Sequence, residues 1–360
     1  MSRRSVAIGA ATLVAVVGLA LGAAWYFGLL FTSPSVSGGD PVPVPSNAVS
    51  TIAGNLEAPW GLAFLPDGTA LVTERDTTRI VSVGSDGTVR EVQRIAEADP
   101  GGEGGLLGIA VSPNYQTDRW VYVYYTAAED NRVARFQLGQ PPQPIFTGIP
   151  KAGNHNGGRI AFGPDSMLYV GTGDAADRGR AQERDHLGGK ILRLTPEGQP
   201  APGNPFGGSP VYSYGHRNVQ GLAWDSRGRL FAAEFGQNRY DELNLIEPGK
   251  NYGWPEVEGT GNDDAFVDPV ATWSTSDASP SGIAILDDRV YVACLRGTKL
   301  YRVATDGSGA QALLSDEYGR LRHVAVAPDG SLWILTSNRD GRGSPVDNDD
   351  RIVRLDPTTL

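Results

Sequence analysis

The chain has 360 residues, a formal net charge of −10, and 47 glycines and 25 prolines. The acidic balance disfavours nucleic acid as a partner. The glycines and prolines sit at turns between apolar runs, with no collagen-like or low-complexity period. Cys294 is the one cysteine, so no intramolecular disulfide forms; it follows the apolar run Val290-Tyr291-Val292-Ala293, as a packed strand residue would.

The first segment differs from everything after it. Met1-Ser2-Arg3-Arg4 is basic and Ser5 to Phe31 carries no charged residue, long enough to cross a bilayer as a helix. Gly22-Ala23-Ala24 offers small residues for a cleaved secretory signal. The apolar run nevertheless continues through Trp25-Tyr26-Phe27-Gly28-Leu29-Leu30-Phe31, beyond the roughly 7–15 residues of a signal h-region, which favours an uncleaved anchor over residues 1–31. Both readings place the remainder outside the cytoplasm, with Arg3 and Arg4 inside. Residues 32–47, with Pro34, Pro41, Pro43 and Pro45, read as an extended tether.

From residue 48 onward a short phrase recurs: an aliphatic residue, Ala, another apolar residue, then an Asp-rich or Pro-containing turn. The copies begin Leu62-Ala63-Phe64, Ile109-Ala110-Val111, Ile160-Ala161-Phe162, Leu222-Ala223-Trp224, Ile283-Ala284-Ile285 and Val324-Ala325-Val326. Each is followed by a reversal and a second apolar run, such as Met167-Leu168-Tyr169-Val170 or Ser331-Leu332-Trp333-Ile334-Leu335, and then a third. The Ala positions lie 41 to 62 residues apart, the span of one four-stranded blade with variable loops. The pattern predicts an all-β fold, a six-bladed β-propeller over 48–360, with each Ala on a crowded inner strand.

Four arginines fall in loops beside the strands of the last three repeats. They are Arg217 in Tyr214-Gly215-His216-Arg217-Asn218, Arg296 in Leu295-Arg296-Gly297, and Arg320 and Arg322 in Gly319-Arg320-Leu321-Arg322-His323. In a closed ring they converge on one end of the channel and form an anion site, because the guanidinium fork matches carboxylate or phosphate. Asn154-His155-Asn156-Gly157-Gly158-Arg159 precedes the third inner strand, and Gly171-Thr172-Gly173-Asp174 closes the next one. This places Asp174 beside His155, where a carboxylate on one imidazole nitrogen leaves the other to take a proton. The loop Glu234-Phe235-Gly236-Gln237-Asn238-Arg239-Tyr240-Asp241-Glu242, with Asn251-Tyr252-Gly253-Trp254-Pro255 after it, is rich in oxygens that suit a hard cation such as Ca²⁺; a purely structural loop is the alternative.

Gly102-Glu103-Gly104-Gly105-Leu106-Leu107-Gly108, His155 with Gly158-Arg159, Gly173-Asp174, Gly215-His216-Arg217-Asn218-Val219-Gln220-Gly221 and Asn251-Tyr252-Gly253-Trp254-Pro255 together resemble the soluble pyrroloquinoline-quinone (PQQ)-dependent glucose/sorbosone dehydrogenases. The likeness runs from about Leu56 to Leu355. It implies a six-bladed propeller holding PQQ over its channel and oxidising the C1 hydroxyl of an aldose to a lactone. It further implies His155 as the base, Asp174 as its orienting partner, and Arg217 and Asn218 on the quinone. Arg296, Arg320 and Arg322 would hold the cofactor's carboxylates, and the carbonyls of Gly236 and Gln237 would hold Ca²⁺. By the same resemblance Glu242 and Tyr252 lie near a second calcium, Asn154 sits by the substrate, and Trp273 lies against the sugar ring. Glu103 stands where the family's glucose enzymes carry Gln and Arg296 where they carry Lys, while Asn154 replaces an acid and Gln237 a proline. A calcium-dependent propeller lactonase and a non-catalytic extracellular binding propeller remain alternatives, and the sugar, the electron acceptor and homodimerisation stay open.

Overall fold

The structure, a computed structural model, describes Gly39 and residues 41–360. The expected apolar anchor and the first part of the tether lie outside those residues, and no helix among the described residues is long and apolar enough to cross a membrane. Twenty-four strands form six antiparallel four-stranded sheets. Blade 1 is β2 (Pro59–Phe64), β3 (Ala70–Glu74), β4 (Arg79–Val83) and β5 (Val89–Arg94); blade 2 is β6 (Leu106–Val111), β7 (Val121–Thr126), β8 (Asn131–Phe136) and β9 (Gln143–Ile149). Blade 3 comprises β10 (Ile160–Phe162), β11 (Leu168–Gly171), β12 (Lys190–Leu194) and β13 (Val211–Tyr214). Blade 4 comprises β14 (Val219–Trp224), β15 (Leu230–Glu234), β16 (Tyr240–Ile246) and β17 (Ala271–Ser274). Blade 5 runs through β18 (Pro280–Leu286), β19 (Arg289–Cys294), β20 (Lys299–Ala304) and β21 (Gln311–Leu313). Blade 6 contains β22 (Leu321–Val326), β23 (Leu332–Thr336) and β24 (Ile352–Leu355), and takes its outer strand from the start of the ring, β1 (Val49–Ala53).

The repeated Ala falls on the inner strand of every blade, and successive inner strands touch around the ring. Burial follows from that arrangement. Six apolar clusters form, each centred where neighbouring blades meet: Leu62, Val72, Trp333 and Leu335 between blades 1 and 6, for example, or Phe231, Trp273, Val292 and Tyr301 between blades 4 and 5. A propeller thus adds a core with every blade instead of enlarging one. The end of the tether is not free chain. Pro41 bridges Ala312, Val42 donates its N–H to Ala312 O at 2.8 Å, and Val42 and Val44 pack on the core between blades 5 and 6.

In an antiparallel blade, the loop entering the inner strand and the loop joining the second strand to the third lie at the same end. Five of the six inner strands also carry an irregularity in their pairing near that end, at Pro59/Gly61, Leu106/Ile109, Val219/Gly221, Pro280/Ile283 and Leu321/His323. Such bulges re-aim side chains at the rim of a ring. Most residues of the site described next come from these loops or from the starts of the inner strands beside them.

Candidate active site

His155 and Asp174 meet where the two loop types of blade 3 come together. Nδ1 of His155 donates to Oδ1 of Asp174 at 2.8 Å, and the Asp174 side chain is buried. That bond leaves Nε2 as the acceptor, and the Asn154 amide lies 3.3 Å from it. His155 adopts φ 56° and Ala175 and Ala176 adopt φ 50° and 63°, left-handed conformations that non-glycine residues hold only when their surroundings impose them. Three contacts impose them here: His155 N–H donates to Glu103 Oε2 at 3.0 Å, Ala176 N–H donates to Asp174 Oδ1 at 2.9 Å, and Ala175 N–H donates to His155 O. Gly173 is required by the same close approach, since a Cβ there would lie 1.8 Å from His155 O. Burial alone would raise the Asp174 pKa, but the His155, Trp254 and Ala176 hydrogen bonds outweigh it and hold the carboxyl below its ordinary value.

The second oxygen of Asp174 has a partner that sequence reasoning missed. Oδ2 accepts the indole N–H of Trp254 at 2.8 Å. The indole ring also carries the Arg217 guanidinium, 5.4 Å from its centroid. Trp254, like Glu258 below, comes from a segment that does not start at this end. β16 ends at the opposite end of blade 4, and the chain climbs back alongside β13, with Tyr252 N–H on Tyr214 O and Trp254 N–H on Gly215 O, both at 2.9 Å.

Beside this pair opens a small cavity of about 30 Å³, lined by Arg75, Glu103, Gln220, Arg322, Asp340 and Arg342 among others. Three guanidinium groups on the lining, Arg75, Arg322 and Arg342, and Arg320 beside them meet the carboxylates of Asp340 and Glu103. Asp340 Oδ2 holds Arg320 at 3.0 Å and Arg322 at 3.3 Å, while Glu103 Oε1 accepts Arg342 at 2.8 Å. Burial would raise the Glu103 pKa, yet the His155 N–H and Arg342 keep it below the usual carboxylate range, so Glu103 is an anion here. Burial lowers Arg322 to about 10 against the pull of Asp340, and lowers Arg159, stacked 4.2 Å over Trp60, to about 9. Arg322 Nε, Arg159 Nη2 and Asn218 Nδ2 are buried without a hydrogen-bond partner among the described residues. A surplus of positive charge with unused buried donors is the chemistry of a receptor for a polyanion.

Arg217 is placed at the rim. Its N–H donates to Glu234 Oε2 at 2.6 Å, and its guanidinium reaches Gln237 Oε1 at 2.9 Å and Phe235 O at 3.2 Å. Asn218 spends its Oδ1 on Gly157 N–H at 2.9 Å, stitching blade 4 to the His155 loop. In the loop after β15, Gly236 N–H donates to Asp241, and Gln237, Asn238, Arg239 and Tyr240 all donate to Glu258 Oε1 at 2.7 to 3.1 Å. With the N–H groups so committed, the carbonyls of Gly236 and Gln237 accept no hydrogen bond among the described residues. Among the described residues no three His, Cys, Asp or Glu side chains group around a metal position. A cation here would therefore rely on main-chain oxygen, which suits Ca²⁺.

Other expected site residues lie elsewhere. Trp273 does not face the channel: its place on β17 alternates it inward with Ala271, and it is 1% exposed, stacked on Tyr301 at 5.4 Å in the core between blades 4 and 5. Arg296 is exposed and reaches only Thr275 O, at 3.5 Å, so the structure does not bring it into the arginine cluster. Glu242 lies inside blade 4 and Tyr252 in the core between blades 3 and 4. Glu242 accepts Gly259 N–H at 2.7 Å and is pushed up to about 8 by burial and the neighbouring Glu234 charge. The Tyr252 hydroxyl donates to Leu245 O at 2.7 Å and accepts Glu247 N–H at 2.8 Å. Arg75 and Asp340 escaped the sequence reading although each follows the second strand of its blade, the same loop position as Asp174 and Gly236.

The sequence profile of the Glucose / Sorbosone dehydrogenase family matches residues 56–348. The chain belongs to that family. Among its glucose/sorbosone dehydrogenase relatives, the aldose sugar dehydrogenase of Streptomyces coelicolor, solved in PQQ-bound form, is 55% identical with a TM-score of 0.83, covering 87% of this chain and 99% of that one. Aldose sugar dehydrogenase YliI of Escherichia coli strain K12 is 28% identical over 337 residues, 81% of this chain and 91% of that protein. Quinoprotein glucose dehydrogenase B of Acinetobacter calcoaceticus is 31% identical over 282 residues, 65% and 58% of the two chains.

Proposed function

We propose that this chain is a quinoprotein sugar dehydrogenase that oxidises the C1 hydroxyl of an aldose to the lactone, using PQQ and Ca²⁺. The observation that carries the reading is the His155–Asp174 pair set beside a cavity with three arginines and unused buried donors. Arg75, Arg320 and Arg322 would hold the carboxylates of PQQ, Arg217 and Asn218 its quinone side, and the Gly236 and Gln237 carbonyls the cation. When bound, PQQ supplies the two-electron acceptor and Ca²⁺ the Lewis acid that polarises it.

The chain's own part is proton transfer and positioning. His155 Nε2 takes the proton of the C1 hydroxyl, and Asp174 on Nδ1 stabilises the imidazolium that forms while fixing ring orientation. Glu103 holds the His155 main chain in its left-handed conformation, so the base is set before substrate arrives. Asn154, at 3.3 Å from Nε2, marks the side from which the sugar approaches.

Calcium-dependent PQQ binding to the purified chain, followed optically, tests this reading, with aldoses and an artificial electron acceptor added afterwards. Binding, reduction by sugar, and loss of turnover with retained binding in His155→Ala support it; no binding at saturating Ca²⁺ overturns it. The apolar run Ser5 to Phe31 supports a further part of the proposal, an N-terminal anchor that holds the ring on the outer side of a membrane.

A further inference from the structure

The segment after β16 reaches both halves of the site from one tight turn. Trp254 gives its indole N–H to Asp174 Oδ2, and four residues later Glu258 Oε1 collects the N–H groups of Gln237, Asn238, Arg239 and Tyr240. Between them Val257 N–H donates to Gly253 O at 2.9 Å, which closes the turn. The Trp254 carbonyl is itself held, accepting Gln182 Nε2 at 2.6 Å. Each side chain acts on the site through another group, Trp254 through Asp174 and Glu258 through the 237–240 main chain.

We propose that Trp254–Glu258 is a two-ended brace, in which Trp254 positions the catalytic base through Asp174 and Glu258 shapes the main-chain loop that presents the Gly236 and Gln237 carbonyls. The inference rests on the function proposed above and extends it to residues with positioning roles. A carboxylate that accepts four main-chain N–H groups dictates where the carbonyls of that loop point, because each peptide unit turns as a whole. A buried indole on Asp174 performs the corresponding task for the imidazole, since it prevents the carboxylate from rotating away from Nδ1.

The two ends predict different defects. The charged or titratable groups facing the imidazole are Asp174 at Nδ1 and Glu103 at the main chain, with Arg342 behind Glu103 and Arg217 behind the indole. Trp254→Phe removes the indole donor to Asp174 and keeps a smaller aromatic ring under Arg217. The expected result is a fall in kcat on the order of tenfold and an acid limb of the pH–rate profile displaced to higher pH, with the Ca²⁺ concentration for half-maximal PQQ binding unchanged. Glu258→Ala should raise that Ca²⁺ concentration on the order of tenfold and leave the acid limb in place, and Glu258→Gln, which keeps one carbonyl oxygen, should recover part of the loss. Variants that each shift both readouts equally would show general loosening and overturn the brace.

Two measurements on the cofactor-free chain separate this proposal from the functional one. In a ¹⁵N spectrum of the seven tryptophan indoles, the resonance lost in Trp254→Phe should exchange slowly and move in Asp174→Asn. Hydrogen exchange of residues 237–240 should be on the order of tenfold faster in Glu258→Ala. An indole resonance indifferent to Asp174→Asn, or unchanged exchange in the loop, sinks the brace even if PQQ binds; wild-type failure to bind PQQ sinks the functional reading while these two results still decide the brace.

Discussion

Asp340→Asn asks whether one carboxylate holds the arginine cavity together. Asp340 Oδ2 lies 3.0 Å from Arg320 and 3.3 Å from Arg322, and the three side chains are 2%, 12% and 6% exposed in that order. Removing one partner of a buried ion pair costs about 3–5 kcal/mol. Asparagine keeps an oxygen for one guanidinium and the cavity opens to water, so the lower figure of about 3 kcal/mol applies. At roughly 2 °C per kcal/mol for a domain of this size, the cofactor-free variant should melt about 6 °C below wild type. Citrate, a tricarboxylate, replaces the missing negative charge and should narrow the gap through its linkage to the folded state. The pH dependence follows from the same contacts. Burial opposes ionisation of Asp340, but Arg322 and Arg320 outweigh it and depress its pKa. A depressed acid contributes stability that is complete above its ordinary value near 3.8 and lost as pH falls through the folded value, so the wild-type advantage should vanish in strong acid. Differential scanning calorimetry with and without citrate measures all three effects. A fall under about 2 °C, or a deficit that citrate leaves untouched, would refute the argument.

His155→Ala should lower kcat by roughly 10² to 10⁴ while the optical change on PQQ binding persists, since it removes a proton acceptor and no part of the anion receptor. Trp273→Ala should cost about 3–5 kcal/mol in chemical denaturation and leave the sugar KM unchanged, as expected of a residue between blades; a raised KM with normal stability would return Trp273 to the substrate. Cys294 is fully buried, with its thiol pushed up by burial. Iodoacetamide should therefore modify the native chain only at the rate of global unfolding, and fast labelling in native buffer would contradict the packing of β19.

The ring was legible because the same short phrase recurs on the inner strand of every blade, with Ala63, Ala110, Ala161, Ala223, Ala284 and Ala325 lying 41 to 62 residues apart. His155 and Asp174 were legible for a related reason, as both sit on loops that every blade must place at the same end. Trp254 and Glu258 were not, because their segment starts from the other end and climbs along β13, a path set by hydrogen bonds to Tyr214 and Gly215 that no spacing encodes. Trp273 misled for the opposite reason: an indole near a blade loop looks available until the alternation of Ala271 and Trp273 shows which face of β17 is covered. The proline-rich stretch read as tether because prolines favour extended chain, yet extended chain is also what adds to a sheet edge, as Pro41 and Val42 do at Ala312.

Blade 6 is assembled from the two extremities of the ring, with Val49 of β1 opposite Leu355 of β24. Whatever delivers this chain amino end first, a ribosome or a translocation pore, releases the outer strand of that sheet before the first blade and the three strands it joins only after the fifth. Until then β1 has no partner strand, and five finished blades form an open arc with β1 available to other chains. The last step of maturation is therefore a docking of distant segments, and dilution of the nascent chain or a chaperone on β1 should determine how many rings close on themselves and how many exchange strands.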